Sequence, residues 1–254
     1  MAAARRIPVS RFSPINEIRL AAGFLTIIPV GGDSASTNEV TASFGWFPLV
    51  GFILGAILVV ADYLLAFFIS NAVRSTLLVL ILAIVTGAVH LDGLADTADA
   101  LGAGCDRLRA LTILRDSRTG TFGTVAVFFV LALKLAALAS ASHSRRLALY
   151  LAPGIARWAI VAVPYKLNYL RENGAGSALL GDQGERNLRL ASIVTLLAVL
   201  PAGAALALRG IIVALVLIWS FRLFYIRWLG GITGDLVGAA GEIVEAAALI
   251  ALIA

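Results

Sequence analysis

The feature that most limits what this chain can fold into is a series of long apolar stretches, at about residues 43–69, 75–91, 122–142, 147–164, 190–208, 210–229 and 238–254. A helix rises about 1.5 Å per residue, so a run of roughly 20 apolar residues matches the roughly 30 Å hydrocarbon core of a bilayer. With 60% hydrophobic residues, 14% charged residues and a mean hydropathy of +0.96, the chain falls far outside the composition of a soluble domain. The expected fold is all-α: a polytopic integral membrane bundle of six or seven transmembrane helices. The stretches at 147–164 and 210–229 are the unusual ones, since the first carries Arg157 and the second Arg222 and Arg227. No repeat, low-complexity tract or long linker divides the chain, so residues 1–254 read as one membrane domain.

The N-terminus, MAAARRIPVSRFSPINEIRL followed by AAGFLTIIPV, has the basic region and short apolar core of a secretory signal. The basic region is long, however, and Pro29 ends the apolar run after about ten residues, too short to span. It reads as a retained interfacial segment. The single cysteine, Cys105, excludes an intramolecular disulfide.

Eighteen Arg and two Lys against nine Asp and six Glu give a net charge of +5. If all seven stretches span, fourteen basic residues fall on the side of the N-terminus and four, Arg74, Arg145, Arg146 and Arg209, on the other. The positive-inside rule then predicts a multi-pass protein of the cell (inner) membrane, with the N-terminus and long loops cytoplasmic. The basic excess suits orientation and anionic lipid. No aromatic-interleaved basic stretch argues for nucleic acid. On this topology DGLADTAD with RDSRTGTFG (92–123), the loop at 164–189 and GGITGDLVGAAGE (230–242) share one face.

The segment HLDGLADTADAL (90–101) places three of the nine aspartates within eight positions. On a helix Asp96 lies about 40° from Asp92, and Asp99 about 20° from it on the other side. Carboxylates so close repel and lose solvation near a membrane, and a hard cation such as Mg²⁺ relieves both costs. The alternative is a solvated helix end, which the apolar flanks disfavour. His90 lies about 160° from Asp92 on a continuous helix and serves as a base only if the helix breaks there. A packed or capping histidine accounts for it equally.

In ILRDSRTGTFG, Arg115 and Arg118 precede Gly120 and Gly123, with Asp116 between the arginines. Guanidinium groups bind phosphate in a forked geometry, and glycines let backbone N–H groups approach an anion. A positive-inside anchor would explain the arginines but neither the glycines nor Asp116. Near the last apolar stretch, Asp235 and Glu242 lie seven residues apart and so nearly eclipsed, while Gly238 and Gly241 permit close approach of another helix. Asp235 is a candidate metal or substrate ligand, with a helix cap as its structural alternative. Glu242 and its neighbour Glu245 are open between substrate contact and structure. The glycine-rich loop from Arg171 to Glu185 suits either a substrate cover or a plain connector. Arg157 needs a carboxylate, carbonyl or ligand phosphate as partner; Lys134 is a weaker candidate near snorkelling depth, and Asp62 reads as a structural pair partner.

Carboxylates and arginines on one face describe metal-assisted phosphoryl or phosphodiester transfer. At these residues the sequence resembles the cobalamin synthase family, the adenosylcobinamide-GDP ribazoletransferases. FPLVGFILG (47–55), GAVHLDGLADTADAL (87–101), ILRDSRTGTFG (113–123) and GGITGDLVGAAGE (230–242) occur in the family order, and the likeness runs from TIIPV at 26–30 to the end. The resemblance implies a transfer of cobinamide phosphate from adenosylcobinamide-GDP to a ribose hydroxyl of α-ribazole or its 5′-phosphate, with release of GMP. It further implies Mg²⁺ held by Asp92, Asp96 and Asp99 with Asp235, Asp235 or Asp116 assisting the hydroxyl, and Arg115 and Arg118 neutralising the leaving GMP.

A looser likeness runs to the CDP-alcohol phosphotransferases, whose pattern has Ala-Arg after the first Asp-Gly where this chain has Ala95-Asp96. An ion-coupled transporter would place its acids near the midplane in two related halves. A scaffold for other cobalamin-assembly enzymes would tolerate neutral aspartates. The small-residue face GFILGA (51–56) suits either homo-oligomer formation or internal packing.

Overall fold

The computed structural model describes residues 13–30, 35–104, 106–116, 118–141, 143–171 and 183–254. The N-terminal segment, expected to be interfacial, begins outside these residues and enters them as α1 (Pro14–Leu25), too short to cross a bilayer. Helix α2 (Thr37–Ser43) starts on a reciprocal cap: the Ser36 hydroxyl accepts from the Glu39 amide and the Glu39 carboxylate accepts from the Ser36 amide. One tight turn at Phe44–Trp46 then carries the chain into α3 (Phe47–Leu65), giving a continuous helical run over Thr37–Leu65.

Helix α4 (Asn71–Val85) ends at Gly87 and Ala88, both left-handed with φ of 61° and 54°. That conformation is natural for glycine and uncommon for alanine. It turns the chain by 90° into α5 (Val89–Gly102), which bears the aspartates. A short α6 (Arg107–Ile113), capped by Asp106, leads to α7 (Thr121–Ser140). The remaining elements are α8 (Arg145–Ala162), α9 (Gly184–Val199), α10 (Ala204–Leu229) and α11 (Gly234–Ile253).

Among the described residues four helical segments are long and apolar enough to cross a membrane: Thr37–Leu65, α7, α10 and α11; α4 and α5 make a fifth only if the bent pair is counted as one span. The expected positions at 147–164 and 190–208 are helical but differ in kind. Helix α8 carries Arg145, Arg146 and Arg157 and is buried along most of its length between α3 and α11. Helix α9 has 16 residues and gives way to a turn at Leu200–Ala202, where Pro201 cannot continue the ladder. In α7 and α10 most of the apolar surface faces outward, as lipid-facing helices require, whereas α11 is mostly buried.

Small residues set the central packing. A Cβ on Gly51 would come within 2.5 Å of the Pro153 carbonyl oxygen, and one on Gly55 would collide with the Tyr150 carbonyl, so α3 lies backbone to backbone on α8. The small-residue face at 51–56 is thus used within the chain.

Polar groups buried in the bundle pair with one another. Lys134 of α7 donates to Glu242 Oε2 at 2.5 Å and Glu245 Oε1 at 2.6 Å, both on α11, and Arg157 of α8 bonds the second oxygen of Glu245. Asp62 is the pair partner expected of it: Arg145 Nε lies 2.8 Å and Arg74 Nε 2.9 Å from its Oδ1, and Arg146 Nε lies 3.4 Å from its Oδ2.

Gly55→Val should lower the thermal midpoint of the purified protein in detergent by an amount corresponding to about 1–3 kcal/mol, the usual cost of overpacking. Gly184→Ala, whose Cβ would approach nothing closer than 3.8 Å, should leave it unchanged. Equal midpoints for both variants would contradict the close packing of α3 on α8.

Candidate functional site

Helix α5 lies across the N-terminal ends of α7 and α11. A Cβ on Gly93 would stand 2.8 Å from the Asp235 carbonyl oxygen, so α5 meets the start of α11 at backbone contact. At its other end Asp99 reaches the start of α7. Its Oδ2 accepts the Gly120 N–H at 2.6 Å and its Oδ1 the Gly123 N–H at 2.9 Å.

The glycine segment, expected to cradle a substrate anion, gives its amides instead to the protein's own Asp99 carboxylate. Gly120 and Gly123 present their amides to Asp99 rather than to open solvent. A Cβ on Gly120 would fall 2.5 Å from Asp99 Oδ1, and one on Gly123 would collide with Asp99 Oδ2. Both positions are kept free for that contact.

Asp235 follows the Thr233 cap of α11. Its Oδ2 is bonded by Arg171, whose same nitrogen also bonds the Leu114 carbonyl oxygen just before RDSRTGTFG. Arg171 is delivered by a short backbone pairing: Leu170 N–H donates to the Ile232 carbonyl at 2.9 Å, and Ile232 N–H to the Asn168 carbonyl at 2.8 Å. Arg171 thus ties together the three polar segments that the charge distribution placed on one face.

Asp92 is exposed and Asp96 half-buried. Neither accepts a hydrogen bond among the described residues. Burial, followed by the charges of Asp92 and Asp235, pushes the Asp96 carboxyl up to about 6; Arg171 acts in the opposite sense and Asp99 adds a smaller push upward. Nearby, Arg118 forms a forked contact with Asp116, 2.6 Å at the closest, which holds that carboxyl below the usual carboxylate range. Arg115 is exposed.

Three expected members stand elsewhere. The backbone does break at Gly87 and Ala88, yet His90 sits inside α5, buried against Gly238 of α11, and is a packing residue rather than an exposed base. Arg157 and Glu242 belong to the buried ionic network and do not reach the aspartate face: Arg157 has a carboxylate as partner, and Glu242 has Lys134. The segment 172–182 of the glycine-rich loop lies outside the described residues. Sequence reasoning missed the ionic network as a unit. The available signal was the match of two cations with two carboxylates inside apolar helices, where each needs a partner.

Among the described residues no group of three or more carboxylates, imidazoles or thiols is gathered so as to hold a metal ion. Asp99 is committed to backbone amides and Asp235 to Arg171. Asp92 and Asp96 do fit a smaller role. Two like charges one helical turn apart, both without donors, suit a hard divalent cation that takes one or two carboxylates and completes its shell with water and phosphate oxygens.

Fold and site together define a multi-pass membrane protein whose acidic helix, arginines and glycine turn meet at one end of the bundle, the equipment of phosphoryl-group chemistry. Residues 17–253 match the family model described as cobalamin-5-phosphate synthase. The chain is 37% identical to an adenosylcobinamide-GDP ribazoletransferase of Syntrophobacter fumaroxidans over 89% of this chain and 93% of that protein. It is 37% identical to the one of Geotalea daltonii over 92% and 96%, and 36% identical to the one of a Roseiflexus species over 98% and 93%. The chain belongs to the cobalamin-5-phosphate synthase family. No solved structure matches it.

The raised Asp96 carboxyl has a consequence for stability. Its folded value of about 6 stands above the ordinary 3.8, so the folded protein holds the proton more tightly than the unfolded chain between these values. The Asp96 contribution to stability therefore falls as pH rises through that window. In chelator-treated protein the thermal midpoint should decline more steeply from pH 4 to pH 7 for the native chain than for Asp96→Asn. Identical pH profiles would remove the crowded-carboxylate description.

Proposed function

We propose that this protein is an adenosylcobinamide-GDP ribazoletransferase, joining adenosylcobinamide-GDP to α-ribazole or its 5′-phosphate with release of GMP. The reading rests on one observation above the others: Asp92 and Asp96 stand side by side without protein donors, against Asp235 and Arg171, at the end of the bundle that carries RDSRTGTFG. Family membership supplies the substrate class, since the relatives carry that activity in their names.

In the reaction a ribose hydroxyl oxygen of the acceptor forms a bond to the phosphorus next to cobinamide. The bond from that phosphorus to the oxygen of GMP breaks, GMP departs with the electron pair, and the hydroxyl proton passes to a carboxylate. Asp92 and Asp96 would hold Mg²⁺, which when bound neutralises charge on the pyrophosphate oxygens. Arg115, exposed at the surface, and Arg118, whose Nε and Nη2 are paired with Asp116, would neutralise phosphate oxygens of the donor. Arg171 orients Asp235 and fixes the distance between α11 and the loop before α7. Asp99 keeps the turn at Gly120 in shape, so its role is to position the arginine segment rather than to touch the reacting atoms.

The active end would face the cytoplasm, with the chain in the cell inner membrane. The excess of basic residues at that end supports the orientation, and a nucleotide substrate is in keeping with it.

Asp92→Asn and Asp96→Asn should each leave the protein folded in detergent while lowering Mg²⁺-dependent GMP release from adenosylcobinamide-GDP and α-ribazole phosphate by at least about a hundredfold, the scale of removing a group that stabilises transition-state charge. Near-native turnover in both variants would rule the assignment out.

A further inference from the structure

At the end of the bundle opposite the aspartate face, positive charge exceeds negative in a way the fold itself does not neutralise. Arg74 of α4 and Arg145 and Arg146 of α8 converge on Asp62 of α3, and no other described carboxylate bonds them. Asp62 is 1% exposed, so its one charge is fully used. Arg145 is also buried, donating to the Ser75 hydroxyl at 3.0 Å and to the Leu138 carbonyl, yet its Nη2 has no partner. A buried guanidinium nitrogen left bare is costly, and a site with two surplus positive charges is costlier still unless an anion shares it.

The surroundings indicate which anion. Arg146 is half-exposed and stacks over the Tyr63 ring at 5.2 Å. Tyr63, in the last turn of α3, and Phe67 and Phe68, in the turn that follows it, are 51%, 68% and 82% exposed. An exposed tyrosine at the end of a spanning helix marks the level of the lipid headgroups. The first turns of α4 and α8, neither capped by a side chain, also begin beside these arginines, and their free amides add to the positive field.

We propose that Arg74, Arg145 and Arg146 form a binding site for the phosphate of an anionic phospholipid, with the Tyr63 and Phe67 rings against its glycerol and upper acyl region. The phosphate supplies the acceptor oxygens that Asp62 alone cannot, and guanidinium groups bind it in a charge-assisted geometry. The lipid would then join α3, α4 and α8 at the end of the bundle remote from the aspartates.

The test uses the full chain purified in detergent and native mass spectrometry with phosphatidylglycerol, phosphatidylcholine or inorganic phosphate added. The native chain should retain phosphatidylglycerol, and the Arg74→Gln/Arg146→Gln double variant should bind it at least tenfold more weakly. Asp62 keeps Arg145 as its partner in that variant. If the double variant does not fold, Arg146→Gln alone should weaken retention severalfold, because this side chain is 53% exposed. Equal retention by variant and native chain, equal retention of phosphatidylcholine, or displacement of phosphatidylglycerol by millimolar inorganic phosphate would each overturn the assignment; the last would mark a free-anion site instead.

Discussion

The arrangement of the bundle depends on a buried ionic network of two cations and two carboxylates. Lys134, Arg157, Glu242 and Glu245 come from α7, α8 and α11, and their charges cancel as a set. In a low-dielectric interior none of them is tolerable alone, and removing one partner of such a set typically costs about 3–5 kcal/mol. The three helices are therefore locked in one register. Glu242 and Glu245 lie two to three turns along α11 from Asp235, so the network sets how far the start of α11 projects toward α5. The backbone contact between Gly93 and Asp235 is made in that register.

From this frame the aspartate face is assembled by hydrogen bonds that each join two distant segments. Asp99 fastens α5 to the start of α7, and Arg171 fastens the segment after α8 to both Asp235 and the end of α6. The result divides the labour among four aspartates that look alike in sequence. Two are consumed in holding the site's shape. The other two, Asp92 and Asp96, accept no hydrogen bond among the described residues and stand in a crowded field, which suits the hard cation proposed for them.

Much of this was legible in the sequence because it follows from local periodicity or from the cost of charge in lipid. The apolar runs marked the helices, the motifs in GAVHLDGLADTADAL and RDSRTGTFG marked the family, and the spacing of Asp92 and Asp96 put them on one stripe. The convergence of the three polar segments followed from counting arginines. What was not legible depended on partners far apart in the chain. Nothing within RDSRTGTFG says that its amides receive Asp99, and nothing around Arg157 or Glu242 tells an internal partner from a ligand phosphate. His90 illustrates the same limit: the backbone break beside it, at Gly87 and Ala88, was one of its two readings, but only packing against Gly238 decides that its ring is enclosed. Span counting failed to separate α8 from the lipid-facing helices because an apolar run is also what a helix at the centre of a bundle requires.

The proposal that most needs testing is that Asp92 and Asp96, and not Asp99, would hold a divalent ion for the transfer. Electron paramagnetic resonance of Mn²⁺, used in place of Mg²⁺ and titrated into the purified protein with GDP present, tests it most directly. The account predicts a saturable bound signal in the native chain that is retained in Asp99→Asn and lost in the Asp92→Asn/Asp96→Asn double variant. A bound signal that survives in the double variant, or one that disappears with Asp99→Asn alone, would contradict it.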